Sequence, residues 1–151
     1  DRLAEEFELR AGIERGVLPR RLPRRPGPAA RLLSAAIGEL LERKVRRIAL
    51  YGAGRHTAKV ASVVAACPQI VCVIDDRAGL PGVPATVLGR PVLTPREAIM
   101  VEIDAVIINS DEHEREMLPR ARSWAEGRPV VGLYAPPVSP SGSSAASLYA
   151  A

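Results

Sequence analysis

Tyr51-Gly52-Ala53-Gly54-Arg55-His56-Thr57 decides the fold. A short apolar run, Arg47 to Tyr51, leads into it, and a stretch rich in small apolar residues, His56 to Ala66, leads out. Strand, glycine turn and helix in that order form the first unit of a parallel α/β sheet. Gly52 permits a tight turn. Gly54 lets the backbone approach an anionic group, and the helix start behind it offers free N–H groups and the positive end of the helix dipole. Thr57 stands where the usual dinucleotide fingerprint has its third glycine, which loosens the helix–strand contact and adds a hydroxyl.

Working outward, Ile70 to Ile74 is a second β-branched run and ends in Asp75-Asp76, with Asp75 placed 23 residues after Gly52. In dinucleotide-binding folds an acid at that point bonds the ribose hydroxyls, so Asp75 and Asp76 are candidate sugar ligands. The rival reading is two acids that end a strand and face water. Gly79 to Gly89 reads as a glycine- and proline-rich connection, and Pro91 to Leu93 as a brief third strand. Thr94, Pro95 and Glu97 then have the spacing of a capped helix start. Ala105 to Ile108 is a fourth strand, and Asn109 and Ser110 end it on the same sheet edge as the glycine turn. Ser110 or Asp111 opens a helix reaching Trp124, and Pro129 to Tyr134 is the fifth strand.

These runs predict an α/β fold: a Rossmann-like, doubly wound parallel sheet of about five strands in the order 3-2-1-4-5. The domain is expected over residues 45–135. Before it, 1–44 reads as a helical extension: a short helix over 1–16, a Pro/Arg-rich linker around Pro19 to Pro28, and an amphipathic helix over 29–44. Residues 136–151 have the composition of a Pro/Ser/Ala-rich tail. The wide apolar stripe of the 29–44 helix predicts a homodimer formed through it.

Composition narrows the classes. Of the 151 residues 47% are apolar, enough for a real core, but only 3% are aromatic, so Ala, Val, Leu and Ile must build it. The net charge of +4 owes much to arginines between Arg15 and Arg31. Prolines interrupt that run and no aromatic accompanies it, so nucleic acid is not an expected partner. No apolar run has transmembrane length, and two cysteines in apolar surroundings make neither a disulfide framework nor a zinc site. The expected setting is cytoplasmic, with no membrane partner and no metal. His113 lies among Asp111, Glu112, Glu114 and Glu116, a run that reads as a charged helix face.

The candidate ligand contacts are therefore Gly52, Ala53, Gly54, Arg55, His56, Thr57, Asp75, Asp76, Asn109 and Ser110. The expected ligand is a small nucleotide, with a nucleotide sugar or NAD foremost. Asp75 favours NAD over NADP, because it repels a 2′-phosphate. None of Tyr51, Tyr134 and Tyr149 is followed four residues later by lysine, so the Tyr-x-x-x-Lys pair of short-chain dehydrogenases is absent. No Walker loop and no Gly-x-Ser-x-Gly elbow occurs, and no catalytic residue is assigned.

The stretch from Ile48 to Val92 resembles the N-terminal domain of sugar acyltransferases of the sialic acid O-acetyltransferase and PglD type. The matching residues are Gly52, Gly54, His56, Asp75, Asp76, Gly89, Pro91 and Val92. That resemblance implies a pocket for a nucleotide-linked sugar. Arg55 departs from it, standing where the family usually has glycine. No hexapeptide repeat appears in these residues, so the resemblance does not carry acyltransferase activity with it. The same region is also similar to the nucleotide-binding half of NADH-sensing repressors and to CoA-binding domains. An NAD(P)-linked oxidoreductase and a ligand-free interaction domain of Rossmann shape are the remaining alternatives.

Overall fold

The computed structural model describes residues 25–135. The expected 1–16 helix, most of the Pro/Arg linker and the tail lie outside them.

The first helix, α1 (Pro28–Glu42), starts with Gly27 as N-cap and Pro28 in its first turn, where the missing N–H costs nothing. It ends in a Schellman arrangement. Lys44 takes φ +63°, its N–H bonds Leu41 O at 3.1 Å, and the N–H of Val45 bonds Leu40 O at 3.0 Å. The chain then forms β1 (Ile48–Tyr51), α2 (His56–Ala66), β2 (Ile70–Ile74), β3 (Thr86–Val87), β4 (Arg90–Leu93), α3 (Pro95–Met100), β5 (Ala105–Ile108), α4 (Glu114–Trp124) and β6 (Val130–Val131). The expected cap on α3 is present as a full capping box. Thr94 accepts from Glu97 N, and the Glu97 side chain accepts from Thr94 N.

The sheet has six strands in the order β3-β4-β2-β1-β5-β6. The count and the full order differ from the expectation by one added edge strand, β3, while the five expected strands keep their relative order. The pairs β1–β2, β1–β5, β2–β4 and β5–β6 are parallel, while β3 pairs antiparallel with β4 at the edge. The extra strand comes from the segment read as a connection. Leu88 and Gly89, at φ +51° and +72°, form a two-residue hairpin between Val87 and Arg90. β6 is also shorter than the run Pro129 to Tyr134, because Leu133, Tyr134 and Ala135 give their N–H groups to the Glu114 carboxylate.

Helices cover both faces. Ile48, Leu50, Val73, Ala105 and Ile107 point to one side, where α1 and α2 lie; Ala49, Tyr51, Cys72, Ile74, Val106 and Ile108 point to the other, where α3 and α4 lie. Successive residues of each strand face opposite layers, so runs without polar alternation are buried on both sides. The stripe of α1 is spent within its own chain. Leu33 is 0% and Leu40 1% exposed, packed in one cluster with Ile48, Val60 and Ile107. At about 1.5–3 kcal/mol per buried leucine, this contact ties α1 to the sheet's core, while Leu32 on the same helix stays exposed. Among the described residues, no helix is long and apolar enough to cross a membrane.

Candidate functional site

The parallel ladder holds three strand ends in register at one edge. The N–H of Gly52 bonds Ile74 O at 2.8 Å, that of Asp75 bonds Leu93 O at 3.0 Å, and that of Asn109 bonds Tyr51 O at 2.8 Å. The glycine turn, the acidic pair and the Asn109-Ser110 segment are thereby brought together at the carboxyl edge of the sheet. Open α/β sheets bind ligands at that edge.

The two glycines of the turn have different reasons to be there. Gly52 has φ +124°, and a Cβ on it would lie 2.7 Å from the carbonyl oxygen of Asn109. Gly54 has a φ outside the left-handed region, and a Cβ on it would meet nothing within 4 Å. The fold requires the first glycine and not the second. Beyond them, the N–H groups of Ala53, Gly54, Arg55 and His56 have no acceptor among the described residues, and α2 carries no side-chain cap. The exposed Arg55 makes no ion pair with any described residue.

Two clefts open beside the turn and share Asp75 and Arg77. The first, about 330 Å³, lies between Tyr51, Gly52, Asp75 and Asp76 on the sheet side and His113, Glu116, Met117 and Arg120 at α4. The second, about 320 Å³, lies between Ala53 and the Leu80–Pro84 loop. Asp75 is buried. Its Oδ1 accepts from the backbone N–H of Arg77 at 2.8 Å, and its Oδ2 has no donor among the described residues. Asp76 is more committed: Oδ2 accepts from the Tyr51 hydroxyl at 2.7 Å and from Arg120 at 3.0 Å. Burial, and then the bond to the Asp76 carboxylate, push the Tyr51 phenol up to about 12, so it donates at any ordinary pH. Arg120 is raised by the same pair of neighbours.

His56 sits in the first turn of α2 and is only 3% exposed. Its Nδ1 lies 2.6 Å from Asn109 Oδ1, and its Nε2 lies 2.7 Å from the Tyr134 hydroxyl. Asn109 Nδ2 donates to Gly52 O at 2.8 Å and to Thr57 Oγ1 at 3.1 Å, which fixes Oδ1 as the acceptor. The proton therefore sits on Nδ1, and in the neutral ring Nε2 accepts from Tyr134. Both nitrogens are used within the protein. His56, one of the candidate ligand contacts, is thus a buried link between α2, Asn109 and Tyr134. Thr57 is likewise buried against Asn109. Ser110 accepts from His113 N at 3.0 Å and supports the turn into α4.

Sequence reasoning missed Glu114 and Tyr134. Glu114 is 3% exposed, and its carboxylate accepts from the N–H groups of Leu133, Tyr134 and Ala135 at 2.6–3.1 Å. A Cβ on Gly132 would overlap that carboxylate. A signal existed. Glu114, Met117, Leu118 and Ala121 follow the i, i+3, i+4, i+7 spacing, so Glu114 lies on the buried stripe of its helix and not on the charged face. His113, which was placed on that charged face, is indeed exposed, and stands at the rim of the first cleft.

No group of three or more His, Cys, Asp or Glu side chains able to hold a metal occurs among the described residues. Compared with protein-family models, curated proteins and solved structures, the chain matches none.

Proposed function

We propose that the chain is a Rossmann-like module that binds a nucleotide or nucleotide sugar at the carboxyl edge of its sheet. One juxtaposition carries the reading. A helix start with four N–H groups that have no acceptor among the described residues, and a glycine the fold does not need, adjoins the Asp75 carboxylate, which Arg77 meets at Oδ1 and whose Oδ2 has no donor among the described residues; clefts open on both sides of that carboxylate. The N–H groups suit a phosphate and Asp75 suits a sugar hydroxyl. A thermal-shift panel of NAD, NADP, CoA, UDP-sugars and GDP-sugars tests it. A ligand at about 100 times its dissociation constant adds roughly 2.7 kcal/mol of stability. Gly54→Val is expected to abolish the shift while leaving the unliganded melting temperature nearly unchanged. No shift with any compound refutes the proposal.

A specific observation favours a second reading, that of a ligand-free interaction domain. His56, Asn109 and one oxygen of Asp76 are already engaged by the protein itself. On that reading Gly54→Val is silent in every assay.

A further inference from the structure

In a doubly wound sheet the ligand crevice lies where the connections diverge, here between β1 and β5. A dinucleotide uses both sides of that point: one nucleoside runs toward the acid that ends β2, and the other crosses toward the strands beyond β1. On the β2 side this protein is open between Ala53 and the Leu80–Pro84 loop, and a second cleft runs from Asp75 and Asp76 to His113, Glu116, Met117 and Arg120 at α4. Over the ends of β5 and β6, on the α2 face of the sheet, it is bridged. Asn109 lies over the end of β5 and bonds Gly52 O and Thr57 Oγ1, while Tyr134, arriving from β6, reaches across to His56 on α2 at 2.7 Å. The two rings meet edge to face with centroids 5.7 Å apart. Glu114 fixes the backbone of Tyr134 through its own N–H and those of both its neighbours, and the hydroxyl bond to His56 sets the direction of its ring.

We propose that Tyr134 is a specificity-determining residue: held by Glu114 and His56, it closes the β5–β6 half of the crevice, so that the site admits a ligand with one nucleoside and rejects a dinucleotide. The proposal rests on the nucleotide-binding reading above and narrows it. The bridge is protein-made and polar, and its outermost bond is the one between Tyr134 and His56. Tyr134 itself is 42% exposed, so trimming it opens space at the surface without emptying the core.

The test uses the full chain and base-matched pairs, so that base preference does not enter: ADP against NAD, UDP against diuridine diphosphate, GDP against diguanosine diphosphate, each by calorimetric titration. For the pair with the preferred base, the diphosphate is expected to bind the wild-type protein at least tenfold tighter than the dinucleotide. Tyr134→Ala should shrink that gap to threefold or less while changing diphosphate affinity by less than twofold. Tyr134→Phe, which keeps the ring but loses the hydroxyl bond to His56, should leave a gap between those of the wild type and Tyr134→Ala. Circular dichroism establishes that both variants are folded, and a purely structural role for Tyr134 would weaken both ligands of a pair together. A wild-type gap below tenfold, or one that Tyr134→Ala leaves in place, overturns the assignment and leaves nucleotide binding standing. Failure of every diphosphate and every dinucleotide to bind overturns both.

Discussion

Replacing Gly52 or Gly54 by alanine, one at a time, separates a glycine needed by the fold from one that is not. At Gly52 an alanine must hold φ near +124°. Such a backbone costs an L-residue on the order of 1–3 kcal/mol. The new Cβ would also sit 2.7 Å from Asn109 O, a backbone atom that cannot swing away as a flexible side chain would. Moving Asn109 stretches its N–H bond to Tyr51 O and its amide bond to Gly52 O, each worth about 0.5–1.5 kcal/mol. The expected loss for Gly52→Ala is therefore about 2–6 kcal/mol. At about 3–6 °C per kcal/mol for a domain of this size, a loss at the middle of that range, about 4 kcal/mol, lowers the melting temperature by roughly 12–24 °C. At Gly54 there is no positive φ and nothing within 4 Å of the added atom. Gly54→Ala should therefore be neutral or stabilising by about 0.4–1 kcal/mol, through the narrower unfolded ensemble. Urea unfolding of both variants beside the wild type, with the m-value checked for constancy, gives the two numbers. Equal destabilisation by the two substitutions would refute the division of roles in the turn, and with it the argument that Gly54 is kept bare for a ligand.

Two further outcomes follow from buried and surface carboxylates. Glu114→Gln halves the acceptor capacity and sets an NH2 group against three backbone donors, so a loss of about 2–4 kcal/mol in urea unfolding is expected; a loss under 0.5 kcal/mol would show that the carboxylate does not hold the segment after β6. The N–H groups of Arg46 and Arg47, both 2.9 Å from Asp104 Oδ2, hold that carboxyl below its ordinary value. Because the folded value is the depressed one, its stabilisation is complete above the unfolded aspartate range near pH 4 and is lost as the pH falls through the folded value. The melting-temperature difference between the wild type and Asp104→Asn should accordingly shrink below about pH 4, and a difference that stays constant from pH 6 to pH 3 would contradict this.

Much of the architecture was legible because it rests on local chemistry. Apolar runs four to five residues long, separated by helix-spaced segments, leave a parallel α/β sheet as the economical way to bury both faces of each strand. The Thr94-Pro95-Glu97 cap and the glycine turn at 52–54 are local as well. The cap satisfies backbone groups within three residues, so its spacing is sufficient evidence. The hairpin at Leu88-Gly89 escaped notice because a leucine at positive φ has no sequence signature. It is held there by pairing with β4, which supplies the energy from outside the segment.

The sequence by itself determined which residues stand at the carboxyl edge of the sheet: strand ends follow from where the apolar runs stop, and parallel pairing sends all those ends the same way. Only the tertiary structure decided what those residues do there. Whether His56 faces solvent or a neighbour depends on Asn109 and Tyr134, which lie 53 and 78 residues away along the chain. Whether Glu114 is a surface charge or a buried anchor depends on three N–H groups about twenty residues later. A polar group's role is set by the partner that satisfies it when water is removed, and that partner is chosen by packing between elements that one-dimensional periodicity cannot place side by side.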